Sequence, residues 1–454
     1  MGFLDEDYLL ESTSARQLYD EIRDLPILDP HSHVDVAALA RDEGWNDIWE
    51  AEGATDHYVW ELMRKRGVSE RKITGDATNR EKWDALASVF PEFAGNPTYE
   101  WVHLDLKRRF GIEKPISADT ADEIWAETKA ALDDQTMRQR ELLREMNVEV
   151  VSSTDDPTSD LEHHRTLAEE LDDVTVRPTW RPDAAMGIDA AGWREYVATL
   201  GDATDTDVTD LDGFLAALRT SHEYFEANGC GASDHGLSEV RSKPVDRRRA
   251  ADVYERAYAG EALTDDDVAD FEAFVLERIG EMNRETDWVT QLHIGPVRDY
   301  RDSLYDELGA DAGGDISTGD LDLAGGLRHF LNRFDQELEV VLYVVDPTHY
   351  PTVATVARAF PNVSVGAAWW FNDSPHGMRS QLEYVGTVDL LANYGGMVSD
   401  SRKLLSFGSR FEMFRRSLAN AVGEMVERGQ MPMTVAEDRV RQVAYERPAE
   451  LWDF

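Results

Sequence analysis

The stretch LPILDPHSHVD, residues 25–35, closes an apolar run with two histidines one residue apart, His31 and His33. On an extended strand residues i and i+2 face the same side, so the two imidazoles point together while Ser32 points away. Two neutral imidazoles on one side suit a divalent metal ion. The pair alone is weak, because H-x-H arises by chance in chains of this histidine content. A carboxylate near the other end of the chain strengthens it: YGGMVSDSR, residues 394–402, sets Asp400 and Arg402 at the same spacing. If the segment carrying Asp400 lies beside the histidine strand, two His and one Asp form a three-ligand site. Such a site leaves positions for water or substrate, which marks a catalytic ion.

Other side chains could complete a site around that ion. Arg181, in TWRPD, precedes Pro182, which restricts its backbone, and with Arg402 it can clamp a carboxylate through bidentate hydrogen bonds. His293, in LHIG, is open to three roles, as metal neighbour, proton shuttle or substrate contact, with a packed core histidine as the plain alternative. Trp369 and Trp370 read as core, with one of the two reaching the pocket. His57 and Tyr58, in ATDHYVW, read on their own as a surface or helix-packing pair. His163 and His164 occupy adjacent positions on a predicted helix, face apart, and are set aside as ligands. Cys230, the single cysteine, excludes an intrachain disulfide and reads as a small buried apolar side chain.

The elements that must position these groups are short β-rich runs alternating with amphipathic helical stretches. The runs are LPILD (25–29), VEVVSST (148–154), VTVRPTW (174–180), GCGASDH (229–235), WVTQLHIG (288–295), LEVVLYVVD (338–346), VSVGAAWWF (363–371) and YGGMVSD (394–400). Apolar strands alternating with helices predict a parallel sheet covered by helices. GCGASDH is the weakest of the eight, since glycine disfavours a strand. Nearly every run ends in polar, chemically capable residues: His31 and His33, Asp155 and Asp156, Arg181, Asp234 and His235, His293, Asp346, Trp370, then Asp400 and Arg402. A (β/α)8 barrel of the TIM type opens all its strand ends onto one face, whereas a doubly wound sheet concentrates function at one switch point. The pattern therefore predicts one α/β barrel domain over 1–454. Residues 34–147 are too long for one crossover and carry helical runs such as DHYVWELMRKRGV, so they are expected to form a helical insertion after strand 1, placed as a lid.

Composition sets the outer bounds. The net charge is −44 over 454 residues, and the acid is interleaved with apolar residues rather than gathered in a tail. Such a surface repels nucleic acid and anionic membrane, which excludes both as partners. Lysine supplies only eight of the 46 basic residues. An acidic, lysine-poor surface fits a salt-rich cytoplasm, where screening removes self-repulsion. The N-terminal stretch lacks a signal-peptide pattern, and no apolar run approaches the length of a membrane span, so a cytoplasmic protein is expected. An anionic substrate would need dedicated arginines to bind in this field.

DPHSH on strand one, the aspartate of strand eight and the barrel pattern resemble the amidohydrolase superfamily. Within it the chain is similar to the uronate isomerases (glucuronate isomerases). The likeness runs nearly end to end, through ITGDATNREKWDA, GNPTYEWVHLDLKRRFGI, SSTDDPTSDLEHH, RPTWRPD, NGCGASDH, QLHIGPVR, WWFND and MVSDSRKLLSF. The resemblance implies interconversion of D-glucuronate with D-fructuronate, and usually of D-galacturonate with D-tagaturonate. It implies His31, His33 and Asp400 as ligands of one divalent metal, zinc being the usual expectation. It implies Arg181 and Arg402 as substrate holders, His57 and Tyr58 as a mobile lid pair, and His293 as an inward-facing histidine. Two positions depart from the family pattern. Ser32 stands where cysteine is common, and PVRDYR follows HIG where asparagines are usual, so Arg298 and Arg301 gain no substrate role from the resemblance.

The chemistry expected is removal of the C2 hydrogen of the open-chain aldehyde, a cis-enediol, and return of the proton at C1. Asp400 is the first choice for the proton-transfer group, with Tyr58 or His293 assisting and Trp370 contacting substrate. The expected partners are a small uronate and further copies of the chain in a homo-oligomer. One alternative is a metal-dependent amidohydrolase acting on a small carboxylate, although GCGASDH offers no lysine or glutamate to bridge a second metal. A catalytically silent sugar-binding protein is the other, and it leaves the metal set without a purpose.

Overall fold

The computed structural model describes residues 2–133 and 137–454, so residues 134–136 of the expected 34–147 insertion lie outside the described residues. Two parallel sheets organise the chain. The first has the order β1 (Ile27–Asp29), β2 (Val148–Ser152), β3 (Thr175–Arg177). The second has the order β4 (Ala232–Leu237), β5 (Val289–Ile294), β8 (Val340–Val344), β9 (Val363–Val365). Between β5 and β8, the short strands β6 (Pro296–Val297) and β7 (Ile316–Ser317) pair antiparallel and carry a helix, Asp302–Leu308, between them. The strands of the second sheet are buried along most of their length, β5 and β8 throughout, because parallel strands are covered on both faces.

Seven of the eight expected runs carry a strand, each shorter than its run, and the strand of the fourth extends two residues past it. GCGASDH, the weakest on composition, holds one of the longest strands: its glycines stay outside the ladder, and Ala232 to Leu237 pair in register with Val289 to Ile294. YGGMVSD is the run that does not form a regular strand. Gly396 has φ +95° and Asp400 φ +44°, and left-handed residues interrupt the pleat. That segment still hydrogen-bonds to its neighbours at both ends. Gly395 N–H donates to Val365 O at 2.8 Å, and Asp400 N–H donates to His31 O at 3.1 Å. The two sheets also meet at Trp180, which forms single parallel bridges to Asp155 on one side and Ser233 on the other.

Between β1 and β2 the described residues form helices joined by turns, with Asn79–Val89, Pro97–Phe110 and Ala121–Asp133 the longest among them. The region from Ile48 to Ile124 builds its own apolar cluster, including Trp83, Phe90, Val102 and Leu106, apart from the main core. The main core packs the sheets against the outer helices, of which Ser406–Glu427 is buried along most of its length. No helix among the described residues is long and apolar enough to cross a membrane.

Candidate active site

Pro30 follows β1 and cannot donate to a ladder, so the DPHSH segment leaves the sheet while staying extended. Ser32 N–H donates to Ser152 O on the β2 side, and His33 N–H donates to Ser401 O on the other. This alternation keeps the i, i+2 relation. Ser32 Oγ turns away to Ser152 O at 2.7 Å, and the two imidazoles converge on Asp400. His31 Nε2 and His33 Nε2 lie 3.0 and 3.2 Å from the same oxygen, Asp400 Oδ1. Trp369 Nε1 donates to the other oxygen, Oδ2, at 2.6 Å. Beneath them Asp29 is fully buried, and its Oδ1 accepts from Ser399 N–H at 2.9 Å, tying β1 to the Asp400 segment.

A second layer sits below the histidines. Asp234, in the buried first half of β4, accepts from His293 Nδ1 at 2.6 Å and pairs with Arg181 at 3.1 Å. Burial alone would raise the Asp234 carboxyl, but Arg181, His31 and His293 hold it well below the usual carboxylate range. Burial likewise pushes His293 down to about 4, so its imidazole is neutral, with Nδ1–H on Asp234 and Nε2 without a hydrogen-bond partner. Its ring stacks on Tyr343 at 4.2 Å.

His31, His33 and Asp400 fit a metal ion on the evidence of their own surroundings. Their ligand atoms lie within 4.8 Å of one another. His31 Nδ1 is buried without a hydrogen-bond partner and faces Asp234 at 3.9 Å, as a ligating imidazole faces its supporting carboxylate. Burial opposes charge on His31, yet Asp234 and Asp400 raise its pKa on balance, so the centre draws positive charge. Hydrogen bonds from the two histidines hold Asp400 well below the usual carboxylate range, against burial, which would raise it. Asp400 and Trp370 both have left-handed backbones, with φ of +44° and +52°, a strained geometry of the kind that gathers at functional sites.

A cavity of about 410 Å³ opens over this centre. His31, His33, His57, Tyr58, Arg181, His293, Trp370, Asp400 and Arg402 all line it, so every candidate site residue from the sequence reaches one space. The residues alone suggested a surface or packing pair for His57 and Tyr58. Instead Asp56 caps the helix His57–Lys65 through Tyr58 N–H at 2.9 Å, and the two rings stack at 4.4 Å against the cavity. Both tryptophans, not one, line it. Several strand-end acids do not. Asp346 and Asp156 are spent on local turns, accepting from Thr348 and Thr158 N–H groups. His164 is buried and bonds Ser153 Oγ at 2.8 Å, away from the cavity.

Sequence reasoning missed the cations that frame the cavity. Lys403 is buried, 2.7 Å from Glu52 and 3.3 Å from Asp105, and Arg410 pairs with Asp373 while lying 4.0 Å over the Trp101 ring. Position was a signal for Lys403, directly after the SDSR run in a lysine-poor chain; none marked Arg410. Arg298, set aside in the sequence, also lines the cavity, 5.2 Å over Trp370.

Fold and site together define an α/β enzyme whose arginine-bearing cavity surrounds a His–His–Asp cluster able to hold a metal ion. The family model for glucuronate isomerase matches residues 1–452, and the chain belongs to that family. It is 59% identical to the uronate isomerase of Thermotoga maritima over 450 residues, 99% of each chain, and 38% identical to that of a Marinomonas species, covering 96% and 95%. The crystal structure of the Thermotoga maritima enzyme covers 100% of both chains at a TM-score of 0.98. Glucuronate isomerase from Caulobacter crescentus aligns at a TM-score of 0.95 and 28% identity, covering 99% and 97%.

Proposed function

We propose that the protein is a uronate isomerase that interconverts D-glucuronate with D-fructuronate, and D-galacturonate with D-tagaturonate. The observation that carries this reading is the convergence of His31, His33 and Asp400 in a cavity that also presents Arg181 and Arg402. Arg402 anchors the substrate carboxylate, which the net charge of the chain would otherwise repel. Arg181, locked by Asp183 at 2.8 Å and Asp234 at 3.1 Å, is a fixed donor for sugar oxygens.

Asp400 takes the C2 proton and returns it at C1. Burial pushes the Tyr58 phenol well above its ordinary value, so it stays protonated and donates. The unpartnered His293 Nε2 takes the O2 proton and returns it to O1, ending neutral as it began, while Tyr58 stays protonated as a hydrogen-bond donor to the oxygens. Trp370 walls the sugar. A divalent ion on His31, His33 and Asp400, with zinc the expected metal, would polarise the substrate oxygens and offset enediolate charge.

The same reading takes residues 1–454 as one (β/α)8 barrel, supported by the Trp180 bridges and the hydrogen bonds of Gly395 and Asp400. It takes 34–147 as a helical lid, supported by the placement of His57 and Tyr58. A cytoplasmic setting, a homo-oligomer and adaptation to high salt belong to it as expectations from the sequence.

The test incubates the protein with each uronate, assays ketose, and measures bound metal in the same sample. Ketose formation with stoichiometric metal is expected; hydrolysis of small amides without ketose would refute the reading. Following C2–H exchange in deuterated water, Asp400→Asn is expected to lose about 100-fold or more. Exchange at the full rate would remove Asp400 as the base.

A further inference from the structure

Among the described residues, the cations lining the cavity fall into two kinds. Arg181, Lys403 and Arg410 are each tied to a buried carboxylate, Asp234, Glu52 and Asp373 respectively. Arg402 and Arg298 are not. They share one oxygen of Asp311: Arg402 Nη2 lies 3.3 Å and Arg298 Nη1 3.7 Å from Asp311 Oδ1. The Asp311 side chain is 57% exposed and the two arginines 36% and 44%. Ion pairs this wet are weak and readily exchanged.

Asp311 is nevertheless held in place. It sits on the loop between helix Asp302–Leu308 and β7, and the helix that carries His57 and Tyr58 grips that loop. Glu61 Oε1 accepts from Gly314 N–H at 2.9 Å, and Arg64 Nη1 donates to Ala312 O at 2.5 Å. Gly313 packs so tightly that a Cβ there would lie 2.7 Å from Glu61 Oε1. The loop and the helix thus present the Asp311 carboxylate to the pocket arginines.

We propose that Asp311 is the resident carboxylate of the substrate-carboxylate subsite, holding Arg402 and Arg298 until the carboxylate of an incoming sugar acid takes its place. This rests on the uronate isomerase reading and adds to it a specificity residue, Asp311, and a substrate-binding residue, Arg298. Exchanging one carboxylate for another keeps both guanidinium groups paired throughout. A neutral aldose brings no charge to displace Asp311, so the loop disfavours it while an acid competes. Asp311 raises the uronate KM as the counterpart of that selectivity.

The variant is Asp311→Asn, which keeps the side-chain volume and tolerates the left-handed φ of +61° at this position. The uronate KM is expected to fall roughly 3- to 10-fold, the range that two exposed ion pairs span. By calorimetry, glucarate, a dicarboxylate with no aldehyde to isomerise, is expected to bind tighter by a similar factor, and sorbitol, its neutral counterpart, by less than about 2-fold. An unchanged or raised KM, or equal effects on glucarate and sorbitol, would overturn the proposal. If the wild-type protein fails to isomerise uronates, the underlying reading falls, and the glucarate and sorbitol comparison still decides the role of Asp311. A melting curve matching wild type establishes that the variant is folded.

Discussion

Replacing Lys403 with methionine isolates what holds the helical region between β1 and β2 onto the Asp400 segment. The ammonium is almost wholly buried among Glu52, Asp56 and Asp105, at 2.7, 3.6 and 3.3 Å, and these acids belong to three different helical elements. Methionine keeps the stem and removes the charge. Breaking a buried ion pair from one side costs about 3–5 kcal/mol, because the remaining charge stays buried and unpaired. Unfolding entropy of ~2.1 cal/mol/K per residue gives about 1 kcal/mol/K for a chain of this length, so the melting temperature should fall by roughly 3–5 °C. Burial holds the Glu52 carboxyl well above its ordinary value, Lys403 offsets only part of this, and Asp105 and Asp56 add to it. Asp56 and Asp105 still face the ammonium when Glu52 is made neutral, so Glu52→Gln should cost less than Lys403→Met. The assay is thermal unfolding at pH 7.5 for both variants, beside Lys114→Met, which removes an exposed lysine paired with Glu123 and Glu127. A Lys403→Met shift no larger than that of Lys114→Met would refute the buried-cation argument. A Glu52→Gln loss equal to that of Lys403→Met would show that Glu52 alone pairs the ammonium, without Asp56 and Asp105.

Two further outcomes follow from burial and charge. Burial pushes the Asp155 carboxyl up to about 6, against a Ser153 hydrogen bond that lowers it. The folded state then holds more protons than the unfolded chain between about pH 4 and 6, so this group makes the protein lose stability as pH rises through that window. Asp155→Asn should be more stable than wild type at pH 7.5 by about 2–3 kcal/mol, with the gap closing near pH 4; denaturant titrations at both pH values check this, and a constant gap would contradict it. The net charge of −44 should make the melting temperature rise with molar KCl, as screening relieves self-repulsion; a flat or falling dependence would remove the case for salt adaptation.

Residues whose roles depend on local geometry were legible in the sequence. His31 and His33 share a side because an extended backbone alternates, and Ser32 turns away for the same reason; Asp400 and Arg402 have the same spacing, but the left-handed backbone of Asp400 means strand alternation does not place them. Strand positions followed from apolar runs, because burial on both faces writes itself as continuous hydrophobicity. Strand lengths did not, since a residue enters a ladder only where a neighbouring strand reaches it; Gly396 and Asp400, with left-handed backbones, leave the last run without a regular strand. Asp346 and Asp156 looked like site acids, yet local hydrogen bonds with Thr348 and Thr158 use them up.

The sequence by itself determined the residue types of the candidate metal site, the spacing of its histidines, the arginine supply and the family resemblance, all of which reside in short stretches. Only the tertiary structure decided which charges are already paired. Asp234 beneath His31 and His293, Glu52 and Asp105 around Lys403, and Asp311 across Arg402 are partners from distant parts of the chain. The physical reason is range: backbone geometry acts over a few residues, whereas the energy of a charge depends on every group within several ångströms, wherever the fold brings it from.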